Sequence, residues 1–164
     1  MVLGGLLGGL TLVGGLTWLL VYLPGSHPAT DAVVGVMFTA GGLVLLMPHR
    51  VQLPGAATAG AAGAAAAVGT VAGLVIGSAQ ICCAFVYAAT RGFPFGWLQR
   101  GAFAGDSATA RRLALGSTWQ VDALGLAGDL VFWAYAGVLI VVIVRLARRT
   151  AADHDLGRAE VRRR

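Results

Sequence analysis

The sequence predicts an all-α fold: an integral membrane four-helix bundle with both termini inside and a partly ordered outer loop between spans three and four. Three observations predict it. Hydrophobic residues make up 57% of the 164 residues and charged residues only 12%, about half the share of soluble domains. The apolar residues form four long stretches, and an Arg-rich segment follows the last of them. A membrane is therefore the natural solvent for most of the chain.

The four apolar stretches give the boundaries of the predicted spans. The first covers residues 2–23, the second 32–48, the third has its core at 66–89 after an Ala- and Gly-rich start, and the fourth covers 123–146. A helix of roughly 17 or more apolar residues can cross the hydrocarbon core. We therefore predict one membrane domain over residues 1–149, followed by a basic cytoplasmic tail at 150–164.

The placement of arginine orients the helices. All twelve basic residues are Arg, the formal net charge is +5, and seven of the Arg lie at or after Arg145. Cytoplasmic flanks of spans carry an excess of basic residues, so the tail and Arg50 are predicted inside and the segment 91–122 outside. The positive charge therefore indicates membrane anchoring, with anionic lipids as partners of the tail, and not nucleic-acid binding.

Asp129 is the first candidate for a functional residue, because it lies inside the fourth apolar stretch. An ionised side chain at membrane depth costs roughly 3 kcal/mol on insertion scales, so it normally faces other helices or a water-filled cavity. If the third and fourth spans end at the same interface, Gln80 can hydrogen-bond to Asp129 and Arg91 can reach towards it, with Asp122 about two turns away. Two interpretations stay open: contacts that hold helices together, or a proton, ion or ligand site.

Small residues spaced by four are the candidate helix-packing positions. They are Gly69, Gly73 and Gly77 in the third span and Gly4 and Gly8 in the first. This spacing places residues on one helix face, where a second helix can approach closely. The second helix can belong to the same chain or to another copy, so the pattern allows both intramolecular packing and oligomerisation.

The most distinctive string is RGFPFGWLQRG, at residues 91–101. Its aromatic residues, with one that follows later, are Phe93, Phe95, Trp97 and Trp119. Aromatic rings beside Arg suit the lipid headgroup layer, which predicts an interfacial anchor. The alternative is a lid over a cavity that contains Asp129.

The order of these motifs resembles a group of small uncharacterised prokaryotic multi-pass membrane proteins. Those proteins have a Gly-aromatic-Pro loop before an Asp-containing last span, and the resemblance covers residues 91–133. It implies a topology and no catalytic activity.

Catalytic and metal-binding patterns are absent from the sequence. It has no Gly-rich phosphate loop and no GxSxG motif, and its three His lie in three separate segments. Cys82 and Cys83 are adjacent, which disfavours a disulfide between them and offers no metal-ligand spacing. We therefore expect no metal, no cofactor and no enzyme activity. A membrane enzyme with Asp122 and Asp129 as acid and base is disfavoured, because no nucleophile accompanies them.

The expected function is that of an accessory or scaffold subunit in the bacterial cytoplasmic (inner) membrane, which packs with itself or with a larger membrane complex. The alternative is a small transporter or channel that uses Asp129, Gln80 and Arg91. The lipid bilayer surrounds the chain in both cases. The substitution Asp129→Asn separates the two, because a scaffold tolerates the amide whereas a proton-coupled transporter loses activity.

Overall fold

A computed structural model describes residues 2–22, 28–47, 55–82 and 86–161. The elements within these ranges are α1 (Val2–Tyr22), α2 (Pro28–Leu46), α3 (Gly55–Gly73), β1 (Gly77–Cys82), β2 (Val86–Arg91), β3 (Leu98–Phe103), α4 (Ser107–Gly116), β4 (Gln120–Val121) and α5 (Ala123–Val161). The positions that the sequence analysis used and that lie outside the described residues are His27, His49, Arg50, Cys83 and the last three Arg.

Four of these helices are long and apolar enough to cross a membrane, as predicted. They are α1, α2, α3 and the part of α5 up to Thr150. The bounds of α1 and α2 agree with the predicted spans to within a few residues. Helix α5 continues without a break from the fourth span into the tail. By length and composition, these four helices fit a membrane protein.

The predicted position of the third span is wrong. Helix α3 occupies the Ala- and Gly-rich run before the predicted core, and it ends at Gly73. Where the second half of the predicted core at 66–89 was expected to be helical, the structure has strands β1 (Gly77–Cys82) and β2 (Val86–Arg91) instead. Alanine has the highest helix propensity, which favours the earlier helix, whereas the Ile, Val, Tyr and Thr residues that follow favour strands.

A small antiparallel sheet takes two strands from the predicted third span and two from the predicted outer loop, so the fold is not purely α-helical. Its strand order is β1-β2-β3-β4. Strands β1 and β2 pair from Gly77↔Arg91 to Cys82↔Val86. Helix α4 packs on β2 and β3, and its residues Ala110 and Ala114 are fully buried in that contact.

The structure forms two compact units. One contains the described residues up to Ala62 together with those from Tyr135 onward. The other is Gly63–Ala134, which comprises the end of α3, the sheet, α4 and the start of α5. Asp129 and the aromatic loop belong to this second unit, which we call the sheet unit.

The first unit is built around a tight contact between α1 and α2. A Cβ added at Gly15 would lie 2.6 Å from the Thr39 backbone nitrogen, and one at Gly8 would lie 3.0 Å from the Gly42 carbonyl oxygen. Of the two first-span glycines proposed for helix packing, Gly8 contacts α2, whereas Gly4 has no atom of the described residues within 4 Å of a built Cβ. Glycine permits this approach because it presents only backbone to the neighbouring helix.

Candidate functional site

Two glycines of α3 let the helix approach its neighbours within the sheet unit. A Cβ added at Gly69 would overlap the indole ring of Trp133 on α5. One added at Gly73 would lie 2.9 Å from the backbone nitrogen of Phe93. The spacing of four therefore marks real packing positions at these two residues. Gly77, the third of the series, lies in β1 opposite Arg91 and not on the helix.

The loop at residues 92–97 is anchored on the first turns of α5. The Phe95 backbone N–H donates to Asp129 Oδ1 at 2.8 Å, and Trp133 Nε1 donates to the Phe93 carbonyl oxygen at 2.9 Å. Because Asp129 and Trp133 are four residues apart, they face the loop from one side of the helix. The loop thus obtains from α5 the hydrogen bonds that lipid cannot supply.

Glycines at the contact allow the loop to lie this close to the helix. A Cβ at Gly128 would be 3.0 Å from the Phe95 ring, and one at Gly125 would be 3.2 Å from the Cβ of Trp97. Gly92 has a φ of 121°, a conformation that residues with side chains rarely adopt, and it begins the turn into the loop. The aromatic rings of the loop therefore pack against protein.

Asp129 is fully buried, with an exposed fraction of 0%. Its Oδ2 atom has no hydrogen-bond partner among the described residues, and the same is true of Nε1 of Trp97. The Trp97 indole lies beside the carboxyl group but outside hydrogen-bonding geometry. An unpaired buried acceptor next to an unpaired buried donor is a polar site that one water molecule can complete, by accepting from the indole and donating to the carboxylate.

The structure does not bring Gln80 or Arg91 to Asp129. Gln80 lies in β1 opposite Ala88 with an exposed side chain, because this segment is a strand and not a helix. The guanidinium carbon of Arg91 lies 5.2 Å from the centroid of the Trp119 ring. The predicted polar site is therefore corrected: Asp129 meets the Phe95 N–H and the Trp97 indole, two partners that the sequence analysis did not assign to it.

Asp122 is not part of the Asp129 site either, because it caps the start of α5. Its Oδ1 accepts from the Leu124 backbone nitrogen at 3.0 Å, and its Oδ2 accepts from Gln99 Nε2 at 3.1 Å. Its backbone nitrogen donates to the Trp97 carbonyl oxygen at 2.7 Å. A carboxylate at this position also interacts favourably with the helix dipole.

Comparison of the chain with protein families, with curated proteins and with solved structures finds no match in any of the three.

Proposed function

We propose that this chain is a non-catalytic accessory or scaffold subunit of the bacterial cytoplasmic membrane, which packs with itself or with a larger membrane complex. The observation that carries the proposal is a second glycine face on α1. Gly8 and Gly15 meet α2, whereas Gly5 and Gly9 have no atom of the described residues within 4 Å of a built Cβ. Small residues four apart on an unoccupied helix face are typical of helix–helix contacts in membranes.

The Asp129 site supports the same proposal. Both side chains that reach the loop from α5 serve to hold it, since Asp129 accepts from Phe95 and Trp133 donates to Phe93. A carboxylate that is fully buried and bound to a backbone N–H is suited to a structural role. Function is therefore expected from the surfaces that the helices present, more than from a chemical step.

Replacing both Gly5 and Gly9 by Leu is expected to weaken association about tenfold, because the larger side chains keep a second helix from approaching. Native mass spectrometry of the full chain in lipid nanodiscs measures this as the fraction of assemblies heavier than the 16.7 kDa single chain. Gly14→Leu is the matched control, since Gly14 is equally open but lies about 140° away from Gly9 around the helix. Equal effects of the two variants on association would refute the proposal. So would a wild-type protein that is monomeric both in nanodiscs and in its native membrane.

We propose that both termini lie in the cytoplasm. Four spans return the chain to the side where it began, and the Arg-rich tail favours the cytoplasmic side. In intact cells, a single Cys at Ala152 is expected to resist a membrane-impermeant thiol reagent and to react after lysis, with Cys82 and Cys83 replaced by Ala. Labelling before lysis would place the tail outside and reverse the orientation.

A transporter is the second candidate, and the unpaired atoms at Asp129 favour it. Oδ2 of Asp129 and Nε1 of Trp97 are buried without partners in the described part of the chain, as a proton-carrying site would be. Asp129→Asn discriminates between the two candidates. It abolishes proton-coupled uptake into proteoliposomes if the chain is a transporter, and it leaves the assembly unchanged if the chain is a scaffold.

A further inference from the structure

Two arginines of the sheet unit converge on one tryptophan. The guanidinium carbon of Arg100 lies 4.4 Å from the centroid of the Trp119 ring, and that of Arg91 lies 5.2 Å from it. The register explains the convergence: Arg91 pairs with Leu98 and Ala89 pairs with Arg100, so both Arg lie on one face of the sheet. Two positive charges thus contact the same ring. The ring attracts each of them through a cation–π interaction, but it has no negative charge to neutralise them.

No carboxylate compensates these charges in the described part of the chain. Neither Arg91 nor Arg100 forms an ion pair there, and the Nε atom of Arg100 is buried without a hydrogen-bond partner. Residues 77–122 contain only two acidic residues, and each of them caps a helix. Asp122 caps α5, and Asp106 caps α4, where hydrogen bonds from Thr109 hold the pKa of Asp106 below its usual value. The cluster therefore lacks an anion.

The cluster lies directly beyond the ends of two candidate spans. Gly77, which pairs with Arg91, follows the end of α3 by four residues, and Trp119 precedes the start of α5 by four. Apolar side chains near these ends are left open: Val75 is 90% exposed and Leu124 is 86% exposed. Exposed apolar residues at the end of a membrane span are expected to contact lipid, which would put the two Arg at headgroup depth.

We propose that Arg91, Arg100 and Trp119 form a binding site for the phosphate of an anionic lipid headgroup. Guanidinium groups bind phosphate through paired, charge-assisted hydrogen bonds, and tryptophan is favoured at headgroup depth. The site lies in the sheet unit and is separate from the basic tail. This lipid site goes beyond the proposed function, because it does not depend on whether a second helix packs on the Gly5 and Gly9 face of α1.

Titration of the detergent-solubilised full chain with phosphatidylglycerol, followed by native mass spectrometry, tests this site. Replacing both Arg91 and Arg100 by Gln is expected to raise the Kd of the tightest phosphatidylglycerol about 30-fold, the effect of two arginines near a membrane surface. Arg111→Gln with Arg112→Gln is the matched control, because it removes the same charge from the exposed side of α4 and leaves Trp119 untouched. This control is expected to change the Kd less than threefold.

Two further probes separate the possible outcomes. Phosphatidylcholine is expected to bind at least tenfold more weakly than phosphatidylglycerol. Replacing both Arg by Lys is expected to retain most of the phosphatidylglycerol binding. The Lys variant keeps the test valid if the Gln variant does not fold. Equal losses from the two Gln pairs, or no loss from either, would overturn the site. Inorganic phosphate that binds as tightly as phosphatidylglycerol and displaces it would overturn the lipid as the ligand.

Discussion

Asp129→Ala is expected to lower the free energy of unfolding by about 1–3 kcal/mol, because it leaves the part-buried Phe95 N–H without its acceptor. Asp129→Asn is expected to leave this free energy unchanged or to raise it. Asparagine keeps a carbonyl oxygen for Phe95 and removes a buried carboxylate that has no cation beside it among the described residues. Thermal unfolding of the full chain in lipid nanodiscs, followed by tryptophan fluorescence, measures both.

Trp133→Phe is the companion variant for this prediction. It removes the N–H that binds the Phe93 carbonyl oxygen, at an expected cost of about 0.5–1.5 kcal/mol. The smaller ring also loses part of the contact with Gly69, which adds a cavity cost to that of the hydrogen bond. If Asp129→Asn destabilises the protein as much as Asp129→Ala does, the charge at this position matters more than the hydrogen bond. That result would favour the transporter over the scaffold.

The second large effect is expected at Gly69, where even one methyl group has no room. Gly69→Ala is expected to destabilise the sheet unit by about 1–3 kcal/mol, because the added Cβ overlaps the Trp133 indole and forces α3 away from α5. The Trp133 ring also carries the hydrogen bond to the loop, so the loop should loosen together with the helix contact. The same unfolding measurement, with limited proteolysis at residues 92–97, reports both changes.

Gly60→Ala on the same helix is the control for Gly69→Ala. Gly60 has no atom within 4 Å of a built Cβ, so the added methyl group is expected to be neutral or to stabilise α3 by up to about 1 kcal/mol. Equal destabilisation by the two substitutions would mean that glycine matters here for backbone conformation and not for close packing.

Apolar length and composition predict the first, second and fourth spans well. They misplace the third. The segment 77–91 is as apolar as a membrane helix, and short apolar strands cannot be distinguished from a buried helix by periodicity. Two signals pointed to the observed structure: Gly73 and Gly77 bracket the break, and residues 86–91 are rich in strand-forming types. The Ala- and Gly-rich run of α3 is less hydrophobic than residues 77–91, but alanine gives it the higher helix propensity.

The candidate site is predictable in its central residue and not in its partners. Asp129 is conspicuous because a carboxylate inside an apolar run needs a partner. Pairing it with Gln80 required a helix at residues 77–89, so the error in the third span carried over to the site. The observed partner lies in the loop, where the Phe95 N–H donates to Asp129 Oδ1.

The hydrogen–deuterium exchange rate of the Phe95 amide in lipid nanodiscs decides whether Asp129 is a buried structural acceptor. We predict slow exchange in the wild type and in Asp129→Asn, and exchange at least tenfold faster in Asp129→Ala, because only Ala lacks an oxygen at this position. Fast exchange in the wild type would contradict this structural role. It would mean that the loop opens to water above the carboxylate, as a transport site requires.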